Sequence, residues 1–117
     1  MKTIDLEIFK DMPFLFWVKD EEGKYLWGNR AIDQLARETV AGKTDYELPW
    51  AADADGLRAA DKEVITTGKP KFLREYVKKP SGVTLNVCKW VGELDGKKRC
   101  FGISFVTEHG TPDEQVP

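Results

Sequence analysis

The residues best equipped for chemistry in this 117-residue chain are few: Cys88, Cys100 and His109. Two thiols are too few for a disulfide scaffold, and one histidine does not complete a tetrahedral zinc site with them. The single histidine sits in a polar tail, which also argues against a Ser-His-Asp relay. Cys88 and Cys100 fall in strand-like stretches and read as small apolar packing residues. If they share a face on neighbouring strands, oxidation is geometrically open to them, and a reducing cytosol opposes it. The carboxylates offer no metal constellation. Asp53, Asp55, Asp61 and Glu63 sit where a helix carries cap and wet-face charges. Asp20, Glu21 and Glu22 read as a solvated turn, and Lys43 and Asp45 as a pair or a cap. Two residues stand out for position. Asn29 is placed to tie a strand to the helix after it. Trp50, after Leu48-Pro49 and just ahead of the longest helix, is placed to roof a cavity or to anchor a core.

The elements that must hold these residues fit one domain. A kinase, a cyclase or a Rossmann enzyme with a separate substrate domain does not fit in this length. With 41% hydrophobic and 32% charged residues, the chain reads as globular. Lysine plus arginine number 18 against 20 acids, a net charge of −2. Without a basic excess, no nucleic-acid partner is expected. Charges interrupt Met1 to Asp11, so it is no secretory signal. The longest nearly apolar run, Met12 to Val18, is too short for ~30 Å of hydrocarbon. No membrane association and a cytoplasmic location are therefore expected.

Ile4, Leu6, Ile8 and Phe9 among charges suggest a short amphipathic helix, and their alternation also admits a strand. Pro13 ends it. Phe14 to Lys19 and Lys24 to Gly28 read as a hairpin joined by the Asp20–Gly23 turn. Asn29 caps a short helix with Ala31, Ile32 and Leu35 as its buried stripe. Thr44 to Glu47 has capping-box spacing for one helical turn, stopped by Pro49. Asp53 opens the longest helix. Its apolar stripe is Leu57, Ala60, Val64 and Ile65, with Arg58, Asp61, Lys62 and Glu63 on the wet side. Gly68 and Pro70 close it. Three strands follow, over 71–78, 83–91 and 99–107, with Asp95-Gly96 as a hairpin signal. This order predicts an α+β domain: a five-stranded antiparallel sheet with helices on one face and a short N-terminal helix. The domain spans 1–108, and 109–117 is expected to be a loose tail or linker.

The order and its punctuation resemble the PAS domain, a bacterial sensory module. Val18 to Asn29, with Asp20, Gly23 and Asn29, is similar to the family's opening hairpin. Gly42 to Leu48 resembles its "GktdyeL" segment. Asp61 to Pro70, with Val64 and Gly68, resembles its helix end. Gly82 and Asp95-Gly96 match the last two hairpins. Phe105 to Glu108 resembles the closing "D-I-T-E", with Phe105 where the family carries an Asp that contacts the linker to the next domain. The resemblance covers about residues 5 to 108.

What it implies is a non-catalytic sensor or dimerisation module, of the kind found upstream of histidine kinases, diguanylate cyclases or DNA-binding domains. An effector domain or partner protein would complete the signal. Strand alternation places Leu85, Val87, Phe101, Ile103 and Phe105 on one face, against Asn86, Cys88, Trp90, Cys100, Gly102 and Ser104 on the other. By resemblance to flavin-binding relatives, the second set joins Leu15 and Trp17 on the helix-facing side, where the family holds its ligand. The expected ligand-binding residues are Leu15, Trp17, Leu35, Trp50, Leu57, Asn86, Cys88, Trp90, Cys100 and Ser104. A core filled by tryptophan rings is the competing reading, and a register displaced by one would swap every assignment. The apolar outer face would then be covered by Ile4, Ile8 and Phe9 of the N-terminal helix, by a homodimer partner, or by both. The cofactor is unknown. Covalent flavin is disfavoured, since Lys43 to Trp50 holds no cysteine, and haem is disfavoured, since residues 53 to 72 hold no histidine. The expected function is small-ligand sensing in a signal-transduction protein. A ligand-free interaction module is the alternative, and a small enzyme comes last.

Overall fold

β-Branched and aromatic residues at Leu15–Lys19 and Tyr25–Gly28 form strands β1 and β2. Helix α1 follows at Arg30–Ala36. Two single 3-10 turns, Asp45–Glu47 and Ala51–Asp53, lead into helix α2, Ala54–Thr67. Strands β3 (Lys71–Val77), β4 (Val83–Leu94) and β5 (Lys97–His109) complete the chain. The structure, a computed structural model, describes residues 1–109. The expected loose tail lies outside those residues, apart from the backbone of His109, which ends β5. The five strands form one antiparallel sheet in the order β2-β1-β5-β4-β3. This is the expected α+β architecture. No helix among the described residues is long and apolar enough to cross a membrane.

Local chemistry fixes the joints. Asn29 is fully buried, and its Oδ1 accepts from the backbone N–H of Phe16 (3.1 Å) and Ile32 (3.2 Å). Its Nδ2 donates to the carbonyls of Phe9 (3.0 Å) and Phe14 (2.8 Å). One side chain thus caps α1 and pins the N-terminal segment to β1. Glu47 reaches back to the Thr44 N–H (3.0 Å), as the capping-box spacing predicts. Gly68 closes α2 at φ 69°, in the left-handed region. Asp53 stands at the start of α2 without capping it. Its carboxylate accepts instead from the Lys78 N–H at 3.0 Å.

Two expectations about packing need correction. The N-terminal segment, Thr3–Phe9, is a 3-10 helix. Three residues per turn align Leu6 with Phe9, not Ile4 with Ile8. Leu6 is fully buried and Phe9 stacks on Phe16 at 4.5 Å between centroids, while Ile4 and Ile8 are 72% and 69% exposed. Leu6 and Phe9 therefore cover the part of the outer face around Phe16, Val18 and Phe101, while Phe72 and Phe105 stay exposed.

The second correction concerns β4. Asp95 (φ 53°) and Gly96 (φ 79°) form a two-residue turn with both centres left-handed, so Leu94 pairs with Lys97. Odd-numbered residues of β4 then lie opposite even-numbered residues of β5: Val87 opposite Ser104, Lys89 opposite Gly102, Val91 opposite Cys100. Leu85, Val87 and Lys89 face the helices with Leu15, Trp17, Lys19, Cys100, Gly102 and Ser104. Asn86, Cys88 and Trp90 lie on the outer face with Phe101, Ile103 and Phe105. Cys88 and Cys100 are thus on opposite faces and cannot bridge.

The core has two layers. Leu15, Trp17, Tyr25, Ile32, Trp50, Leu57, Val77, Leu85 and Val87 pack between sheet and helices. Leu6, Phe16, Val18, Leu94 and Phe101, with Phe9, Trp27 and Trp90, pack between the sheet and the N-terminal segment.

Candidate functional site

The helix-facing side of the sheet holds a buried ionic network. Lys19 ends β1 in phase with Leu15 and Trp17, and Lys89 follows Leu85 and Val87 on β4, so alternation turns both inward. Lys19 Nζ lies 2.7 Å from Asp45 Oδ2 and 2.8 Å from Asp61 Oδ2. Lys89 Nζ lies 3.0 Å from Asp61 Oδ1 and 3.0 Å from Glu75 Oε2, and donates to the Leu57 carbonyl at 3.3 Å. Arg58 Nη1 is 2.9 Å from Asp61 Oδ2. Asp45 Oδ1 accepts from the Tyr25 hydroxyl (2.7 Å) and the Trp50 indole N–H (2.9 Å). Lys19 also lies 4.6 Å from the centre of the Tyr25 ring. Lys19, Arg58 and Lys89 balance Asp45, Asp61 and Glu75. This neutrality is what makes burial of six ionised groups tolerable.

Sequence reasoning placed Arg58 and Asp61 on the wet face of α2. Both are buried. Asp61 is four residues after Leu57 and three before Val64, inside the apolar stripe. That spacing was the available signal. Asp45 is likewise buried and pairs with Lys19, whereas Lys43 pairs with Glu38.

The network fixes protonation states. Burial alone would lower the Lys19 ammonium, but Tyr25, Asp61 and Asp45 raise it well above the usual lysine value. Burial pushes the Tyr25 phenol well up, and Asp45 adds to this against Lys19. Burial would raise Asp61, yet Lys19 and Lys89 hold it below the usual carboxylate range. Lys19 thus stays an ammonium and Tyr25 a phenol near neutral pH. This suits recognition better than proton transfer.

Beside the network is a cavity of about 30 Å³, room for about two waters. Of the residues expected to bind a ligand, Leu15, Trp17, Leu35, Trp50 and Leu57 line it, together with Lys19, Tyr25, Glu75 and Lys89, which sequence reasoning did not single out. The Trp17 indole lies flat over Gly102, where an added Cβ would fall 2.2 Å from the ring, so glycine is required there. The Trp17 Nε1–H and the Ser104 hydroxyl are buried without a partner among the described residues, the state that water or a ligand relieves. Cys100 is buried on this face, and burial pushes its thiol up to about 11. Ser104 and Cys100 are not on the cavity wall itself. Asn86, Cys88 and Trp90 are on the far face of the sheet. There Asn86 and Cys88 border a shallow apolar groove with Phe72, Ile103 and Phe105.

Comparison with known proteins now identifies the family. A family model described as the PAS fold matches residues 9–90. The chain belongs to this family. It is similar to the PAS domain of an HTR-like protein from Haloarcula marismortui (TM-score 0.70, 16% identity, 89% of each chain). It is also similar to VqmA bound to DPO (TM-score 0.78, 22% identity, 90% of this chain and 57% of that one). The Vibrio cholerae VqmA complex with ligand and DNA gives a TM-score of 0.77 at 22% identity, over 91% of this chain and 51% of that one. Among curated proteins, the uncharacterized protein y4lL of Sinorhizobium fredii is 35% identical over 78 residues, 64% of this chain and 9% of that protein. The chain thus spans little more than half of VqmA and a small part of y4lL.

These neighbours correct one expectation. Near-neutral charge suggested that no nucleic acid is involved. VqmA, whose fold this chain shares over half its length, is found in complex with DNA. The charge of a sensory domain therefore does not exclude a nucleic-acid partner for the protein that carries it.

Proposed function

We propose that this domain is a non-catalytic sensory module that binds a small molecule between its sheet and helices. Occupancy of the cavity favours one packing of α2 and β3 against the sheet, and the long strand β5 carries the change to whatever follows. The observation that carries the reading is the cavity beside a balanced ionic network, lined in part by Trp17, whose buried indole N–H has no partner among the described residues. The similarity to VqmA, bound to a ligand, supports it. A tenfold change in output needs only ~1.4 kcal/mol of differential binding. By the same analogy the output is an effector domain or partner protein, and DNA is among the possible targets. Neither haem nor covalent flavin belongs to the proposal.

An interaction module without a ligand is the second reading. Phe72 and Phe105, 77% and 51% exposed on the outer face, favour it. Native mass spectrometry and the absorption spectrum of the purified protein separate the two. The sensor reading expects added mass that denaturation releases, or a thermal shift with a small-molecule panel. A bare mass with no shift across the panel would overturn it.

A further inference from the structure

The surroundings of Lys89 narrow the class of ligand, provided the sensor reading above holds. Lys89 donates to Glu75 and to the Leu57 carbonyl, and it pairs by charge with Asp61 Oδ1 at 3.0 Å, an oxygen without a hydrogen bond among the described residues. The ammonium is buried among these three groups, so a ligand anion reaches it by displacing one of them. Leu57 offers backbone, and Asp61 is fully buried and also holds Lys19 and Arg58. Glu75 differs on each count. It is on β3, the edge strand of the sheet, its side chain is only 10% exposed yet borders the cavity, and its ion pair is to Lys89. Burial raises its carboxyl despite Lys89, so the buried carboxylate is held at a cost.

Charge and room decide what can replace it. The network is balanced at three cations and three anions. A neutral molecule that displaced Glu75 would leave a buried positive charge uncompensated, whereas a monoanion keeps the balance. The cavity as it stands holds about two waters. A larger guest must therefore move a lining side chain, and the Glu75 carboxylate vacates space directly at Lys89.

We propose that Glu75 is a resident stand-in for the ligand. The cavity takes a small monocarboxylate, whose carboxylate replaces that of Glu75 on Lys89 while its apolar end lies against Trp17, Trp50 and Leu57. Glu75 then turns to solvent at the sheet edge.

The test titrates propionate and benzoate, and their uncharged counterparts propionamide and benzamide, into the full chain at constant ionic strength and pH 7. Binding is read by thermal shift and calorimetry. Wild type should respond to the carboxylates and not to the amides. Glu75→Ala should bind them about tenfold more tightly, as the competitor is gone. Should that variant not fold, Glu75→Gln keeps the shape and should also tighten binding. The charge-balanced Glu75→Ala/Lys89→Met variant should lose the response. If the amides bind as well as the acids, or if removing Glu75 does not tighten binding, the stand-in falls while the cavity reading survives. If neither series binds any variant, the stand-in falls as well, and the cavity reading is decided separately by the native mass and the small-molecule panel.

Discussion

Strand β1 has all five residues buried, yet its two sides meet unlike surroundings. Phe16 and Val18 enter a wall of rings. Phe9 stacks on Phe16, and Trp27, Trp90 and Phe101 approach it edge-on at 5.9 to 6.4 Å. Leu15, Trp17 and Lys19 enter a face where six ionised groups and a cavity sit among the apolar residues. The ring wall is held by contacts that are many, weak and interchangeable. The ionic face is held by few contacts, each directional, and each charge there depends on its neighbours. The two sides should therefore fail differently.

The largest expected effect follows from cutting the ionic side. Asp61→Asn leaves three buried cations facing two carboxylates and should cost about 3–5 kcal/mol in urea unfolding. The contrast sharpens with Asp61→Asn/Lys89→Met, which restores the balance. The double variant should be more stable than the sum of its single changes. Simple additivity would mean that the network is not coupled.

On the ring side, Leu6→Ala should cost about 2–4 kcal/mol by loss of burial. Phe16→Leu, nearer in volume, should cost about 1 kcal/mol. A small penalty for Leu6→Ala would mean that the N-terminal segment is a loose cover.

Acid should attack one side only. Asp61 has a depressed carboxyl in the folded state. Its contribution is complete above the ordinary value of 3.8 and is lost as pH falls through the lower folded value. Glu75, raised by burial, has the opposite sign: it favours the folded state as it takes up a proton. Urea midpoints should fall steeply below pH 4, and Glu75→Gln should remove any gain seen just above it. A flat profile would mean that Asp61 is not held as an anion.

The smallest effect distinguishes the cysteines. Cys88, half-buried on the outer face, should react with a thiol reagent well before Cys100, whose thiol is buried and pushed up to about 11. Mass spectrometry after mild oxidation should find no bridge between them.

Element order was readable in advance because turns, caps and alternation are local. Asn29, Gly68 and Asp95-Gly96 each declare a joint through their own backbone preferences. Leu15, Trp17, Leu35, Trp50 and Leu57 were readable as cavity residues once the family's architecture was assumed. The face of β4 was missed, though the information was there. A two-residue turn at Asp95-Gly96 forces odd residues to pair with even ones, and applying it would have put Lys89 inside and Cys88 outside. The ionic network was harder. A charged residue within an apolar stripe, such as Asp61, looks like a wet-face residue until its partners are known. Those partners come from β1, the turn at Asp45 and β4, far apart in sequence.

Strand β5 begins at the hairpin turn that also holds the N-terminus. Asp95 donates its N–H to the Met1 carbonyl at 2.9 Å, and its carboxylate accepts from the Thr3 N–H at 2.9 Å. From there the strand runs 13 residues, about 40 Å at ~3.3 Å per residue, and ends beside Val83 at the opposite edge of the molecule. The N-terminal segment and the last described residue of β5 thus lie at opposite ends of the sheet, with one continuous strand as the axle between them. A twist of the sheet about that axle would turn its two ends against each other. Shifting the register of β5 by a residue would also replace Gly102 under Trp17 and so alter the cavity wall.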